Sequence, residues 1–212
     1  MRNHLLRLAV VVMGLVALPL LAQTTTQDTQ ATETTAAAVV HPRVELETSA
    51  GRIVIELYPD KAPNTVANFL AYVKDGHYNG TVFHRVIADL LIQGGAFTPD
   101  LQQKPERAAI ANEAHNGLSN QRGTIAAARK PIEKNSAAAQ FFINTVDNRQ
   151  FDYKGDDTAL DAGYCVFGRV VEGLDVVDKI RAVPTAARAP FASDVPTSPV
   201  VIEHAIEIEA TP

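Results

Sequence analysis

Between Arg43 and Glu209 the chain reads as short strands broken by only two helical segments, and that pattern restricts the folds open to it. Val44-Glu45-Leu46-Glu47-Thr48 alternates apolar and polar residues, and Ile53-Val54-Ile55-Glu56-Leu57 does so less strictly. Ser49-Ala50-Gly51 lies between them, which predicts a β-hairpin. Val66, Phe69, Leu70 and Val73 then recur at helical spacing. They predict one amphipathic helix, capped by Asn64 or Thr65 and stopped at Gly76. Further strands are expected at Thr81–Ile87, Leu91–Gln93, Thr124–Ala128, Phe141–Asn144, Val166–Val170 and Val200–Glu209. A second helix runs from about Leu174 to Arg181 and ends before Pro184.

Helices do not follow every strand, which is a poor fit to a doubly wound parallel sheet. The tally of about eight strands and two helices points instead to a mostly-β chain folded as an antiparallel barrel whose ends the helices cover.

The N-terminal residues have a different character. Arg2 and Arg7 precede an uncharged apolar run, Leu8 to Ala22, which reads as an export signal (residues 1–22). The run is short for a membrane span, so removal rather than stable membrane insertion is expected. Residues 23–42 are rich in Thr, Gln and Ala without a hydrophobic period, the composition of a disordered tether. The folded domain is expected over 43–209. Signal removal takes two basic residues and no acidic one from a chain whose net charge is already −5. A net-negative chain without a basic cluster does not suit nucleic acid. Cys165 is the only cysteine, so no intrachain disulfide forms. It sits in apolar Gly-Tyr-Cys-Val-Phe-Gly and reads as a buried packing residue.

The chemistry-bearing residues are few. Phe83-His84-Arg85-Val86-Ile87 carries one arginine on an apolar strand, and Gln93-Gly94-Gly95 follows six residues on. Gln140-Phe141-Phe142-Ile143-Asn144-Thr145 adds an amide and two rings. Adjacent strand positions face opposite ways, so one of Phe141 and Phe142 belongs to the core and the other to a pocket. His84 faces away from Arg85 and reads as a packing residue. The histidines show no paired metal spacing. Neither a Gly-x-Ser-x-Gly nor a Gly-x-x-x-x-Gly-Lys run is present. The result is an apolar pocket with a fixed cation and an amide at its rim, suited to binding and polarisation without a covalent intermediate.

Taken in order, the blocks Phe83 to Ile87, Ile92 to Gly95, Asn112-Glu113, Arg122 to Ala126, Gln140 to Ile143 and Val166 to Val170 resemble the cyclophilin family. The resemblance spans about Arg43 to Glu209 and looks closest to exported bacterial members. It implies a closed eight-stranded antiparallel β-barrel capped by two α-helices, and a peptidyl-prolyl cis-trans isomerase acting on proline-containing polypeptides, with no cofactor and no metal. A periplasmic, monomeric protein that assists the folding of exported chains is the corresponding expectation. The resemblance assigns catalysis to Arg85 and Gln93. It assigns substrate contacts to Phe142, Leu91, Leu90, Phe151, Ala128, Arg129, Tyr164 and Gln140, with Phe142 as the pocket floor.

The chain departs from the family in several places. Ala88-Asp89-Leu90-Leu91 stands where Pro-Gly-Phe-Met is usual, so Leu90 replaces an aromatic wall and Leu91 a methionine. Arg129 stands at a common asparagine, Tyr164 at a common histidine and Gln150 at a usual aromatic. Tyr153 to Gly163 is longer than usual and acidic, and reads as a solvated loop. Leu90 and Leu91 keep a second reading open, a proline-peptide binding module or holdase with weak turnover. A scaffold subunit of an envelope assembly is a third.

Overall fold

The structure, a computed structural model, describes residues 41–209. The export-signal and tether readings lie outside the described residues, except that His41 and Pro42 are already tied to the domain. The Pro42 carbonyl accepts from the Leu57 N–H at 2.9 Å, and His41 Nε2 lies 3.2 Å from Asp60.

Strand β1 (Arg43–Thr48) buries Val44, Leu46 and Thr48, as alternation requires, and pairs with β2 (Gly51–Leu57). Thr48 opposes Gly51, so Ser49-Ala50 forms a two-residue turn. Helix α1 (Pro63–Lys74) follows and buries Val66, Phe69, Tyr72 and Val73. Its capping differs from expectation. Ala62 occupies the N-cap and makes no side-chain cap bond. Glu113 serves instead, from 48 residues beyond Thr65. Its Oε1 accepts from the Asn64 N–H (3.1 Å) and side-chain amide (2.8 Å). Its Oε2 accepts from the Thr65 N–H (2.8 Å) and hydroxyl (2.7 Å). A carboxylate there satisfies the orphan donors and sits at the positive end of the helix dipole. Gly76, at φ +65°, ends the helical segment.

The expected strand Thr81–Ile87 is broken into β3 (Thr81–Val82) and β4 (Arg85–Ile87). Phe83 and His84 are both buried. A regular strand would turn one of them outward, so the pleat is interrupted there. β5 (Leu91–Gly94), β6 (Thr124–Ala127), β7 (Phe141–Asn144) and β8 (Val166–Glu172) follow. Helix α2 (Leu174–Arg181) then buries Val176, Val177 and Ile180.

A hairpin without a sequence signal comes next, β9 (Thr185–Arg188) and β10 (Phe191–Pro196), joined through a cis Ala189-Pro190 bond. β11 (Val201–Ile208) ends the described fold. The main sheet has nine strands, all neighbours antiparallel, in the order β3-β11-β1-β2-β8-β6-β7-β5-β4. It is a curled, open half-barrel rather than the closed eight-stranded barrel expected. The break at Phe83-His84 accounts for the difference, because its two halves become the two edges of the sheet.

The main core lies between the sheet and the helices. Phe69 meets Phe141 edge-to-face at 5.5 Å and Phe167 at 5.2 Å. Phe141 is thus the core member of the Phe141-Phe142 pair. Cys165 is buried, and desolvation pushes its thiol up to about 12. Among the described residues no helix is long and apolar enough to cross a membrane.

Candidate active site

Strand register builds the site. Arg85 on β4 opposes Gln93 on β5, and Gln93 opposes Phe142 on β7, which opposes Ala126 on β6. Directly opposed residues share a face, with Cβ atoms about 5 Å apart. The ladder therefore places a guanidinium, an amide and an aromatic ring in one row. Gln93 Nε2 donates to Gln140 Oε1 at 3.0 Å, which orients both amides. Beyond Gln93 the chain turns at Gly95 (φ +97°), where a Cβ would lie 2.8 Å from the Ala139 carbonyl. Only glycine keeps β5 this close to that backbone.

The row opens into a cavity of about 320 Å³ lined on this side by Arg85, Gln93, Gln140, Ala128 and Arg129. Its floor is apolar. Phe142, 2% exposed, packs edge-to-face with Phe151 (5.8 Å) and Tyr164 (5.6 Å), and those two rings meet at 5.1 Å. Leu91 lines the cavity beside them. Leu90 does not. It is half-buried and packs against the floor cluster, its carbonyl accepting from Asn148 Nδ2 at 2.7 Å. Gln150 is exposed and donates to Asn148 Oδ1 at 3.0 Å, away from the lining.

Arg129 lines the cavity, but its head group is committed to the fold. Nε donates to the Gly163 carbonyl (2.8 Å), and Nη1 to those of Lys130 (3.1 Å) and Pro131 (3.2 Å). Nη2 donates to the Ala159 carbonyl (2.6 Å), and the guanidinium stacks 4.6 Å from the Tyr164 ring. Burial lowers its pKa, with Tyr164 opposing. The loop from Tyr153 to Gly163, read as merely solvated, is in fact held by this arginine and by Asn112, which donates to Ala162 and Gly163.

Arg85 is different. Among the described residues its carboxylate neighbour is Asp194, 3.8 Å from Nε, beyond hydrogen-bond reach. Its donors therefore stay available to a bound molecule. His84 is buried beneath, and desolvation followed by the nearby Arg85 charge lowers its pKa to about 4. It is neutral at physiological pH, so Arg85 supplies the positive charge of this strand.

Three residues lining the cavity were not placed in the pocket by sequence reasoning: Phe97, Pro131 and Phe191. His84, read as a packing residue, lines it too. Phe97 and Phe191 lie outside any periodic segment, so no local signal marked them. Among the described residues no cluster of His, Cys, Asp or Glu is arranged to hold a metal.

Residues 43–207 match the model of the cyclophilin type peptidyl-prolyl cis-trans isomerase family. The chain belongs to that family. It is 57% identical over 162 residues to a peptidyl-prolyl cis-trans isomerase of Streptomyces antibioticus, covering 76% of this chain and 96% of the relative. It is 51% identical over 160 residues to peptidyl-prolyl cis-trans isomerase B of Escherichia coli, with the same two coverages. In fold it resembles the crystal structure of a Cryptosporidium parvum cyclophilin type isomerase, with TM-score 0.67 at 24% identity, covering 81% of this chain and 99% of that one.

Proposed function

We propose that this cyclophilin-type isomerase turns the X-Pro bond in the cavity between Arg85 and Phe142, and that its clients are exported polypeptides. The single observation carrying the site assignment is the Arg85–Gln93–Phe142 register row.

The chemistry follows from the amide. Partial double-bond character sets a rotation barrier of about 18–20 kcal/mol. A rate gain of roughly 10⁴–10⁵ requires about 6 kcal/mol of transition-state stabilisation. As the bond twists, the prolyl nitrogen loses conjugation and becomes a better acceptor. A guanidinium N–H aimed at it stabilises the twisted state more than the planar one, which is differential binding. Arg85 has the uncommitted donors for this and remains protonated throughout. A charge-assisted hydrogen bond supplies about 1.5–3 kcal/mol, so Arg85 alone is insufficient. The dry aromatic floor strengthens it by excluding water, and Gln93 holds the carbonyl side of the X-Pro unit. Phe142, Leu91, Phe151 and Tyr164 form an apolar cup for the pyrrolidine ring. Leu90 packs against this cluster without lining the cavity, so its departure from the usual aromatic leaves the cup itself lined.

A protease-coupled assay on an X-Pro tetrapeptide tests the assignment. Turnover by the parent chain, with large losses in Arg85→Ala and smaller ones in Gln93→Ala, is the expected outcome. Peptide binding without turnover would favour the holdase reading instead.

Export is supported by the charged start and apolar run of residues 1–22, followed by the Thr/Gln/Ala-rich stretch. Fractionation of expressing bacterial cells, with N-terminal sequencing, checks it. A periplasmic product beginning near Gln23 is expected, and a cytoplasmic product retaining Met1 would refute it.

A further inference from the structure

The cavity has two apolar ends, and the proline cup is only one of them. Across Arg85 from the Phe142 floor stand His84, Phe97 and Phe191. Phe97 and Phe191 belong to a separate hydrophobic cluster, built on Val82, Leu101 and Val195 rather than on Phe142. The members lining the cavity are the half-buried ones, Phe97 and Phe191, while Val82, Leu101 and Val195 behind them are buried. Phe97 and Phe191 meet edge-to-face at 5.1 Å and 85°. His84 packs against both, at 4.6 Å and 5.4 Å. Phe191 comes from the β9–β10 hairpin, which lies against β4 and brings Asp194 beside Arg85. Two aromatic faces held at a fixed angle, open to a cavity and backed by buried aliphatics, form a site for an apolar side chain.

We propose that Phe97 and Phe191 form a second apolar subsite, which takes the side chain of the residue following proline. The proposal rests on the isomerase reading above, and the direction of the bound chain follows from it. A second cavity, of about 240 Å³, shares Gln93, Ala128, Arg129 and Gln140 with the first but none of its aromatic trio. Gln93 holds the carbonyl before proline, so the preceding residues run toward that second cavity. The chain leaving proline then passes Arg85 in the opposite sense and reaches Phe97 and Phe191. The subsite therefore selects apolar residues after proline, and the β9–β10 hairpin is the element that confers the preference.

The test is a ratio of kcat/KM values for peptides that differ only after proline, Ala-Pro-Leu against Ala-Pro-Gly. A ratio does not depend on how much of a variant is folded. The parent chain is expected to favour leucine roughly tenfold, the selectivity available to one apolar side chain in a fitted pocket. Phe191→Ala is expected to bring the ratio close to one, and Phe191→Leu to keep most of it. A companion pair, Leu-Pro-Ala against Gly-Pro-Ala, should show the same ratio in parent and Phe191→Ala. Turnover of both Ala-Pro peptides with a parental ratio near one, or a ratio unmoved by Phe191→Ala, would overturn the subsite and leave the isomerase reading standing. A change confined to the companion pair would overturn its placement after proline. If the parent accelerated none of the peptides, the isomerase reading would fall and the subsite with it.

Discussion

Arg85 and Gln93 face each other directly across the β4–β5 pair, so the cation and the amide of the site are set by strand register rather than by loop conformation. A one-residue slip would send both side chains to the opposite face. The fixed register is what lets a residue with uncommitted donors stand over an aromatic floor. Replacing Arg85 by alanine should lower kcat/KM by about one to two orders of magnitude, the equivalent of one charge-assisted hydrogen bond. Arg85→Lys should recover only part of this, because an ammonium lacks the planar fork. Steady-state assays beside thermal melts check that the loss is catalytic.

His84 makes stability depend on pH. Its folded pKa of about 4 lies below the ordinary 6.5, because burial and the Arg85 charge disfavour the imidazolium. Between those values the unfolded chain binds more protons, so stability rises with pH. The contribution is fully present above about pH 6.5 and is lost as pH falls toward 4, on the order of 3 kcal/mol at most. Urea midpoints at pH 7, 5.5 and 4 should show this fall, and His84→Gln should flatten it.

Glu113 caps α1 from a distant part of the chain, accepting from Asn64 and Thr65. Glu113→Ala leaves the Asn64 and Thr65 N–H groups without their acceptor, the second of them buried, which should destabilise the fold by about 2 kcal/mol. A urea titration that moved by less than a few tenths of that figure would refute the role.

Arg129 holds two loops together through the carbonyls of Lys130, Pro131, Ala159 and Gly163. In Arg129→Met these acceptors lose their donor, and amide exchange across residues 153–163 should quicken by about tenfold or more. Unchanged exchange in that loop would show that the guanidinium is not what orders it.

Cys165 is buried with its pKa pushed up to about 12, mainly by desolvation. A thiol reagent at pH 8 should leave the native protein unlabelled and react fully once the chain is unfolded. Rapid labelling of the native state would contradict its buried placement.

Much of this was legible because the signals were local. Alternation at Val44, Leu46 and Thr48 located β1, and the spacing of Val66, Phe69 and Val73 located α1. The pattern that brought Arg85, Gln93 and Phe142 together lies in ordered blocks of sequence. What was not legible depends on partners far along the chain. Nothing near Asn64 announces a carboxylate at Glu113. Thr185-Ala-Ala-Arg188 is exposed throughout and carries no alternation, so the hairpin that presents Phe191 left no trace. The interruption at Phe83-His84 was hidden because an apolar run fits a continuous strand as well as a broken one. That break is what turns the expected closed barrel into an open, curled sheet.

Arg85, standing over the Phe142 floor, is proposed to accelerate rotation of an X-Pro bond. NMR exchange spectroscopy on a proline tetrapeptide, with catalytic amounts of the protein, measures that rotation directly. Strong cis–trans exchange cross-peaks are expected with the parent chain, with their near loss in Arg85→Ala, whose amide spectrum should remain that of a folded protein. Exchange as fast in Arg85→Ala as in the parent, or none in either, would contradict it.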